Sequence, residues 1–434
     1  MTQSVYGILA QAPAQTTSSS SSVKAGGGGF ASYLSAALGA NSSAGIQAQA
    51  ASSGQYNPLP SRSLVSPFSA PVAMAPEHSG QFKALDWPGA YRPEAGQEDV
   101  IEASGLPEAI STYGGGYFNQ EVSLSPAQTV GGGIFQFHFP HIIEKDGTYY
   151  AYFIDHSQGS LNDVGLATSS DGTNWNYQGK VLTKGGQGID AREASFPAVQ
   201  YDSDTGKWYM LYEATADQED LNTVCLATSD DGRNWEKQGP VIKPGQAGDI
   251  SAVDVGTPTM FKENGVWNVY FHTLAKDGRV RMGYARGADL QNLTVQKGAL
   301  LDVDSQGLES GTVGARSNVV KVGPYYYMAY EVCTANPDFG QAQWGTNLAR
   351  STRPDGGWQK LAGGPLVENP QQGFGYDGPE LSIQDGRLYL YYRTAGNTTA
   401  RREISGLDDL GDGSQTSLRQ AHQPFDLNPL PARG

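Results

Sequence analysis

From about Phe135 onward, runs of aromatic and β-branched residues alternate with polar positions and are broken by clusters of Gly, Asp and Asn. A period of two sends successive side chains to opposite faces of a strand, and the interrupting residues suit tight turns. The pattern therefore predicts strands and hairpins. It is also repetitive. "FPHIIEKDGTYYAYFID" is followed by "FPAVQYDSDTGKWYMLYEA", "TPTMFKENGVWNVYFHT", "RSNVVKVGPYYYMAYEV" and "GPELSIQDGRLYLYYRT". With Pro140, Pro197, Pro258, Ser317 and Pro379 as markers, the steps are 57, 61, 59 and 62 residues.

Each unit reads as a short strand, a turn, an aromatic strand, a third strand, a further turn and a fourth strand. Five such units predict an all-β fold, a five-bladed β-propeller of four-stranded antiparallel blades. A phrase closes the third strand of two units: "LATSSDGTNW" at Leu166–Trp175 and "LATSDDGRNW" at Leu226–Trp235. Asp and Gly there suit a turn, and Trp175 and Trp235 are expected to pack between blades. The phrase resembles the sialidase Asp-box, one residue short between Asp and the aromatic, and reads as scaffold. Unit four keeps a degenerate form, "ARSTRPDGGW", and unit three has none. Unit five offers strands near 379–383, 387–393 and 400–405 but no fourth. Asn119–Ser125 is the expected donor, closing the ring without an open edge.

The remainder of the chain differs in texture. Residues 1–80 hold three charged side chains, Lys24, Arg62 and Glu77, among Ser, Ala, Gly and Gln. Such a stretch buries too little apolar surface to offset its ordering entropy. The expected organisation is a low-complexity, largely disordered leader over 1–115, with a short helix over Phe30–Ala40, then the propeller over 116–410 and a tail over 411–434.

The 434 residues carry a formal charge of −15 and a sequence pI of about 4.8. That excludes nucleic acid as the main partner, because phosphate binding needs a basic face. The 23 tyrosines supply amphipathic rings for strands and stacking surfaces for sugars. Cys225 and Cys333 read as free thiols in strands. No apolar run approaches the ~20 residues of a membrane helix. The N-terminus lacks a basic region ahead of its short apolar stretch, so the expectation is secretion or surface display by a non-classical route, with the cytoplasm as the alternative.

Candidate chemistry belongs where the start of strand one and the end of strand two meet at one mouth of the channel. Before the prolines of blades two and three stand "GIDAREASFP" and "DISAVDVGTP", which align Glu193 with Asp254. Asp190 and Arg192 lie beside Glu193. Blade one offers His138 and His141, blade four Arg316 with Glu309 upstream, and blade five Asp377. The end of strand two reads Glu213, His272, Glu331 and Arg393 in blades two to five, and Ile154 then Asp155 in blade one. A polar plug around the axis would use the same residue types. Glycoside chemistry needs one protonated carboxyl to deliver a proton and one ionised carboxylate to activate water or attack carbon, and crowding carboxylates provides both. Arg192, Arg316 and Arg393 would hold a carboxylate ionised or grip an acidic sugar.

The units resemble the five-bladed propeller glycoside hydrolases, the superfamily of families 43, 32, 68, 117 and 130, over about 135–405. In family 43 the resemblance implies an Asp directly before the blade-one proline, another before the blade-three proline, and a Glu opening blade four. Those places here hold Phe139, Thr257 and Ala315. The expected function is a glycoside hydrolase-like cleavage of a poly- or oligosaccharide, with Glu193 and Asp254 as the acid/base pair, Glu309 as a third catalytic carboxyl, and His138, Asp190, Arg192, His272, Arg316, Asp377 and Arg393 contacting substrate. The alternative is a non-catalytic carbohydrate-binding or surface-assembly propeller. A metal-dependent lyase or esterase is a third reading, poorly served by His138 and His141, which at that spacing point to opposite faces of a strand. No cofactor is called for, and acidic side chains in the channel leave a structural Ca²⁺ open.

Overall fold

Five hairpin-built units follow one another. In blade one the strands are His138–Lys145, Thr148–Asp155, Asp163–Ser169 and Asn176–Leu182. Blade two has Glu193–Asp202, Lys207–Thr215, Asn222–Ser229 and Glu236–Ile242, and blade three Asp254–Glu263, Val266–Leu274, Val280–Gly287 and Thr294–Val295. Blade four has Thr312–Val322, Tyr325–Cys333, Trp344–Ser351 and Gln359–Leu361. Blade five has Asp377–Gln384, Arg387–Arg393 and Thr399–Ser405. This computed structural model describes residues 116–407 apart from 132–133, 135–136, 156–162, 217–220 and 337. The leader, with the helix expected over Phe30–Ala40, and the tail over 411–434 lie outside the described residues.

Within each blade consecutive strands pair antiparallel. The first strands pack each against the next, and that of blade five packs against that of blade one, so the ring closes after five blades. Closure comes from the N-terminal approach, as the missing strand of blade five required. Ser123–Leu124 pairs antiparallel with Ile404 and Ser405, and Gln128–Val130 pairs with residues 399–401 of the same strand. Tyr117–Phe118 first adds in parallel to the outer strand of blade four. No helix among the described residues is long and apolar enough to cross a membrane.

Five of the six apolar clusters are seams between neighbouring blades, and the sixth lies on the axis. Trp175 packs with Tyr391 of blade five, and Trp235 meets the Tyr152 ring of blade one edge-on at 5.9 Å. Burying one such ring is worth about 2 kcal/mol, so the seams carry much of the stability. Cys225 and Cys333 are buried free thiols.

The repeated phrase does one job. Asp171 accepts the backbone N–H groups of Thr173 and Asn174 at 2.8 and 2.7 Å, and Asp231 accepts those of Arg233 and Asn234, both at 2.8 Å. These bonds hold Gly172 and Gly232 at φ of 65° and 70°, with their carbonyls turned to the preceding blade. The fifth residue of that blade's second strand reaches across: the Tyr391 hydroxyl donates to the Gly172 carbonyl at 2.6 Å, and that of Tyr152 to Gly232 at 2.8 Å. Tyr270 donates to the Pro354 carbonyl in the degenerate phrase of blade four, at 2.8 Å. In blades two and four that fifth residue is Leu211 or Ala329, and blades three and five, which follow them, lack the phrase. There the seventh residue of the second strand takes over. Glu213 Oε2 accepts the Thr257 N–H at 2.8 Å, and Glu331 Oε1 accepts the Gly378 N–H at 2.6 Å.

Candidate active site

Every first strand breaks register at the same level, where it reaches the axis: between His138 and His141, Ser195 and Ala198, Gly256 and Thr259, Val313 and Ser317, and Asp377 and Glu380. A bulge of this kind re-aims a side chain. Phe139, Phe196 and Thr257, each directly before its proline, sit at φ of 50°, 47° and 41°, in the sparsely populated left-handed region. Two of these, with Ala315, occupy the places where the resemblance sets the family's acids. Phe139, Phe196 and Ala315 make an apolar floor, and the Thr257 hydroxyl is bound to the Ala315 carbonyl beside it. The Phe139 and Phe196 rings meet edge-on at 5.3 Å, and Val253, Leu274, Phe339, Trp344 and Phe374 pack around them.

The carboxyl groups gather to one side of this floor, between blades two and three. Glu193 opens its strand and accepts the hydroxyls of Ser195 at 2.5 Å and Thr215 at 3.3 Å. Asp254, at the aligned place, accepts the backbone N–H of Asn222 at 2.7 Å, its side-chain amide at 3.2 Å and the Val255 N–H at 2.9 Å. His272 Nε2 lies 3.6 Å from Asp254, and its Nδ1 is 2.8 Å from the Thr257 hydroxyl. Glu213 stands with both acids. Burial first, then the charges of Glu193 and Asp254, push its pKa well above the usual glutamate range. Gly256 permits this approach, because a Cβ there would fall 2.1 Å from Glu213 Oε2.

The structure thus brings Glu193, Asp254 and His272 together, with Glu213 at their centre. The seventh-residue periodicity of the second strands marked Glu213, whereas Thr215 and Asn222 carried no signal in the sequence. The other expected site residues are placed elsewhere. Glu309 lies in a separate cluster, accepting Tyr330 at 3.0 Å and Asn347 at 2.6 Å and paired with Lys360 of the outer strand at 2.6 Å. Asp190 pairs with Lys237 in the seam between blades one and two. Arg192 is half-buried, and its backbone N–H donates to Thr215 at 3.0 Å.

Across the mouth, Asp377 and Arg393 form a buried bidentate pair, its Nε–Oδ1 arm 2.7 Å long. The guanidinium lies against the rings of Phe139 and Phe374 at 5.3 and 5.6 Å. Thus neutralised, Arg393 is a poor grip for an acidic sugar. His138 is buried, with Nε2 2.8 Å from the Asn397 carbonyl. Arg316 is buried on the axis itself, donating long bonds to the Phe139 and Pro140 carbonyls at 3.4 and 3.5 Å. Among the described residues no group of three or more His, Cys, Asp or Glu side chains is arranged to hold a metal ion.

Comparison with known proteins agrees with this architecture. A solved structure described as a glycoside hydrolase superposes with a TM-score of 0.52 at 16% identity, covering 65% of this chain and 92% of its own. At that identity the likeness shows the fold alone. A 1,2-beta-oligomannan phosphorylase of Thermoanaerobacter sp. (strain X514) is 28% identical over 148 residues, 33% of this chain. The chain spans 45% of the length of that curated relative. The family model for glycosyl hydrolases family 43 matches residues 135–372, more than half of the chain. On that match the chain belongs to glycosyl hydrolase family 43.

Proposed function

We propose that the protein breaks glycosidic bonds of an oligo- or polysaccharide at the axial mouth, using the carboxyl groups of blades two and three. One observation carries this reading: Glu213 stands in one cluster with Glu193 and Asp254, where burial and their charges favour its protonated form. Glycoside chemistry requires one carboxyl that donates a proton and a second that directs the attack, and such a cluster offers candidates for both. Glu213 delivers the proton to the leaving oxygen, and Glu193 or Asp254 directs the attacking group. The similarity to an oligomannan phosphorylase makes inorganic phosphate an attacking group to test beside water.

A second reading, a non-catalytic carbohydrate-binding or surface-assembly propeller, is favoured by a different observation. Glu193 is 2% exposed and Asp254 and Glu213 0%, so the carboxyl groups are withdrawn from a ligand that binds at the surface. The test is sugar release by the full chain from a panel that includes 1,2-linked oligomannans, with and without phosphate, alongside glycan-array binding. Glu193→Gln, Glu213→Gln and Asp254→Asn are run in parallel. The first reading requires release by the wild type and binding without turnover by the variants. Binding without release by all four proteins would establish the second reading.

A further inference from the structure

Arg316 is the axial residue of blade four, and groups of blades one, two and five meet it there. Blade one presents the Phe139 and Pro140 carbonyls to it. Glu213 of blade two, Glu331 of blade four and Glu380 of blade five surround it with charge. Each glutamate spends one oxygen on the backbone of the next first strand, at Thr257, Gly378 and Ile142, the last at 2.7 Å. The other oxygens, Glu213 Oε1, Glu331 Oε2 and Glu380 Oε2, are buried and have no hydrogen-bond partner among the described residues. The same holds for Nε and Nη1 of Arg316. Five orphaned polar atoms in one place are far outside what a folded interior tolerates, since each costs about 1–3 kcal/mol if left dry. Unpaired acceptors and donors thus gather around one guanidinium, which is the setting in which buried water makes two to four bonds.

We infer that this axial space is a closed hydrated chamber, in which ordered water bridges the Arg316 guanidinium to Glu213, Glu331 and Glu380, and that Arg316 is thereby a positioning residue for Glu213. The clause concerning Glu213 rests on the catalytic reading above, whereas the chamber does not. The charged and titratable groups around the glutamates are few. Glu213 faces Glu193, Asp254 and Arg316, Glu331 faces Asp377, Arg393 and Arg316, and Glu380 faces His141 and Arg316. Arg316 is thus the cation common to all three. Removing it favours the protonated acids, and a lysine in its place restores the charge.

The test uses the full chain in three forms: wild type, Arg316→Lys and Arg316→Met. The protonated-carboxyl infrared band is titrated with pH and assigned with Glu213→Gln and Glu331→Gln. A high-resolution crystal structure of the wild type is inspected for water between Arg316 and the three glutamates. Expected are bridging water and an upward shift of the carboxyl titration by about one pH unit or more in Arg316→Met, with Arg316→Lys close to wild type. A dry space, or a titration that Arg316→Met leaves in place, overturns the inference. If Arg316→Met does not fold, the wild-type density and the Lys variant decide: a dry space, or a Lys titration displaced as far as one unit, sinks it. Neither readout needs turnover. A chamber that behaves as expected in a protein that releases no sugar refutes the proposed function and leaves the chamber standing.

Discussion

The seam between blades one and two and the seam between blades two and three solve one problem in opposite ways. The first is latched at its outer side, where Tyr152 donates to the Gly232 carbonyl of a turn built by Asp231. The second has Leu211 in place of that tyrosine, and is pinned at the axis by Glu213 on the Thr257 N–H. The 3/4 seam follows the first scheme and the 4/5 seam the second, while the 5/1 seam has both, the Tyr391 latch and Glu380 on the Ile142 N–H. A latch uses neutral groups at the rim. A pin places a buried acid beside the axis, and in the 2/3 and 4/5 seams it does so with no latch at the rim.

The largest expected effect that separates the two schemes is on pH. Burial, then the charge of Asp377, raises Glu331 from 4.5 to about 8, so the folded protein binds a proton that the unfolded chain has lost. The pinned seams therefore contribute fully below pH ~4.5 and weaken as the pH rises towards 8. Asp231 has the opposite sign. Backbone N–H groups, that of Asn234 first, hold its pKa well below the usual carboxylate range, so the stability it lends is present above that range and lost only as the pH falls below it. Melting temperature followed against pH is expected to fall between pH ~4.5 and 8, and Glu331→Gln to flatten that slope. An unchanged slope in the variant would detach it from the pin.

Next in size is Glu213→Ala, which strands the buried Thr257 N–H and opens a cavity, for about 3 kcal/mol by denaturant unfolding. Glu213→Gln, which keeps the acceptor, is expected to cost much less. On the latched side, Gly232→Ala is expected to cost about 2 kcal/mol. Its φ is 70°, and a Cβ would stand 2.8 Å from the Tyr152 hydroxyl. The smallest effect is that of Tyr152→Phe, about 1 kcal/mol for one orphaned carbonyl, or about 2 °C in melting temperature. Should Tyr152→Phe prove as costly as Glu213→Ala, latch and pin would not differ as described.

The sequence announces the scaffold because the scaffold is periodic. Prolines at the bulges, Gly turns and aromatic second strands recur every ~60 residues, and a blade short of one strand names its own donor. Tyr152 and Tyr270 precede a copy of the phrase along the chain, whereas Tyr391 meets its copy only once the ring has closed. The site is legible only in part. Glu193 and Asp254 align on their prolines, and both lie near Glu213, because both open equivalent strands. Glu309 stands upstream of blade four as Glu193 does of blade two, yet its loop follows Leu301, which bridges to Met282 of blade three, and Glu309 lies with Lys360 instead. A loop's course is set by what it packs on, and spacing does not encode that.

Ring closure has a consequence for the order of events during synthesis. Ser123 and Ser405 are paired although 282 positions separate them. The strand that completes blade five is among the first parts of the propeller to leave the ribosome, and the strand it must join is among the last. Until then blade five has an open edge, and the first strand of blade one lacks the neighbour whose Glu380 takes the Ile142 N–H. Contacts of such long range are slow to form, because the loop entropy is spent before they return anything. A nascent chain stalled before Thr399 would have four blades' worth of sequence and no ring, and its unpaired edges would be the first surface offered to a chaperone or to another copy of itself.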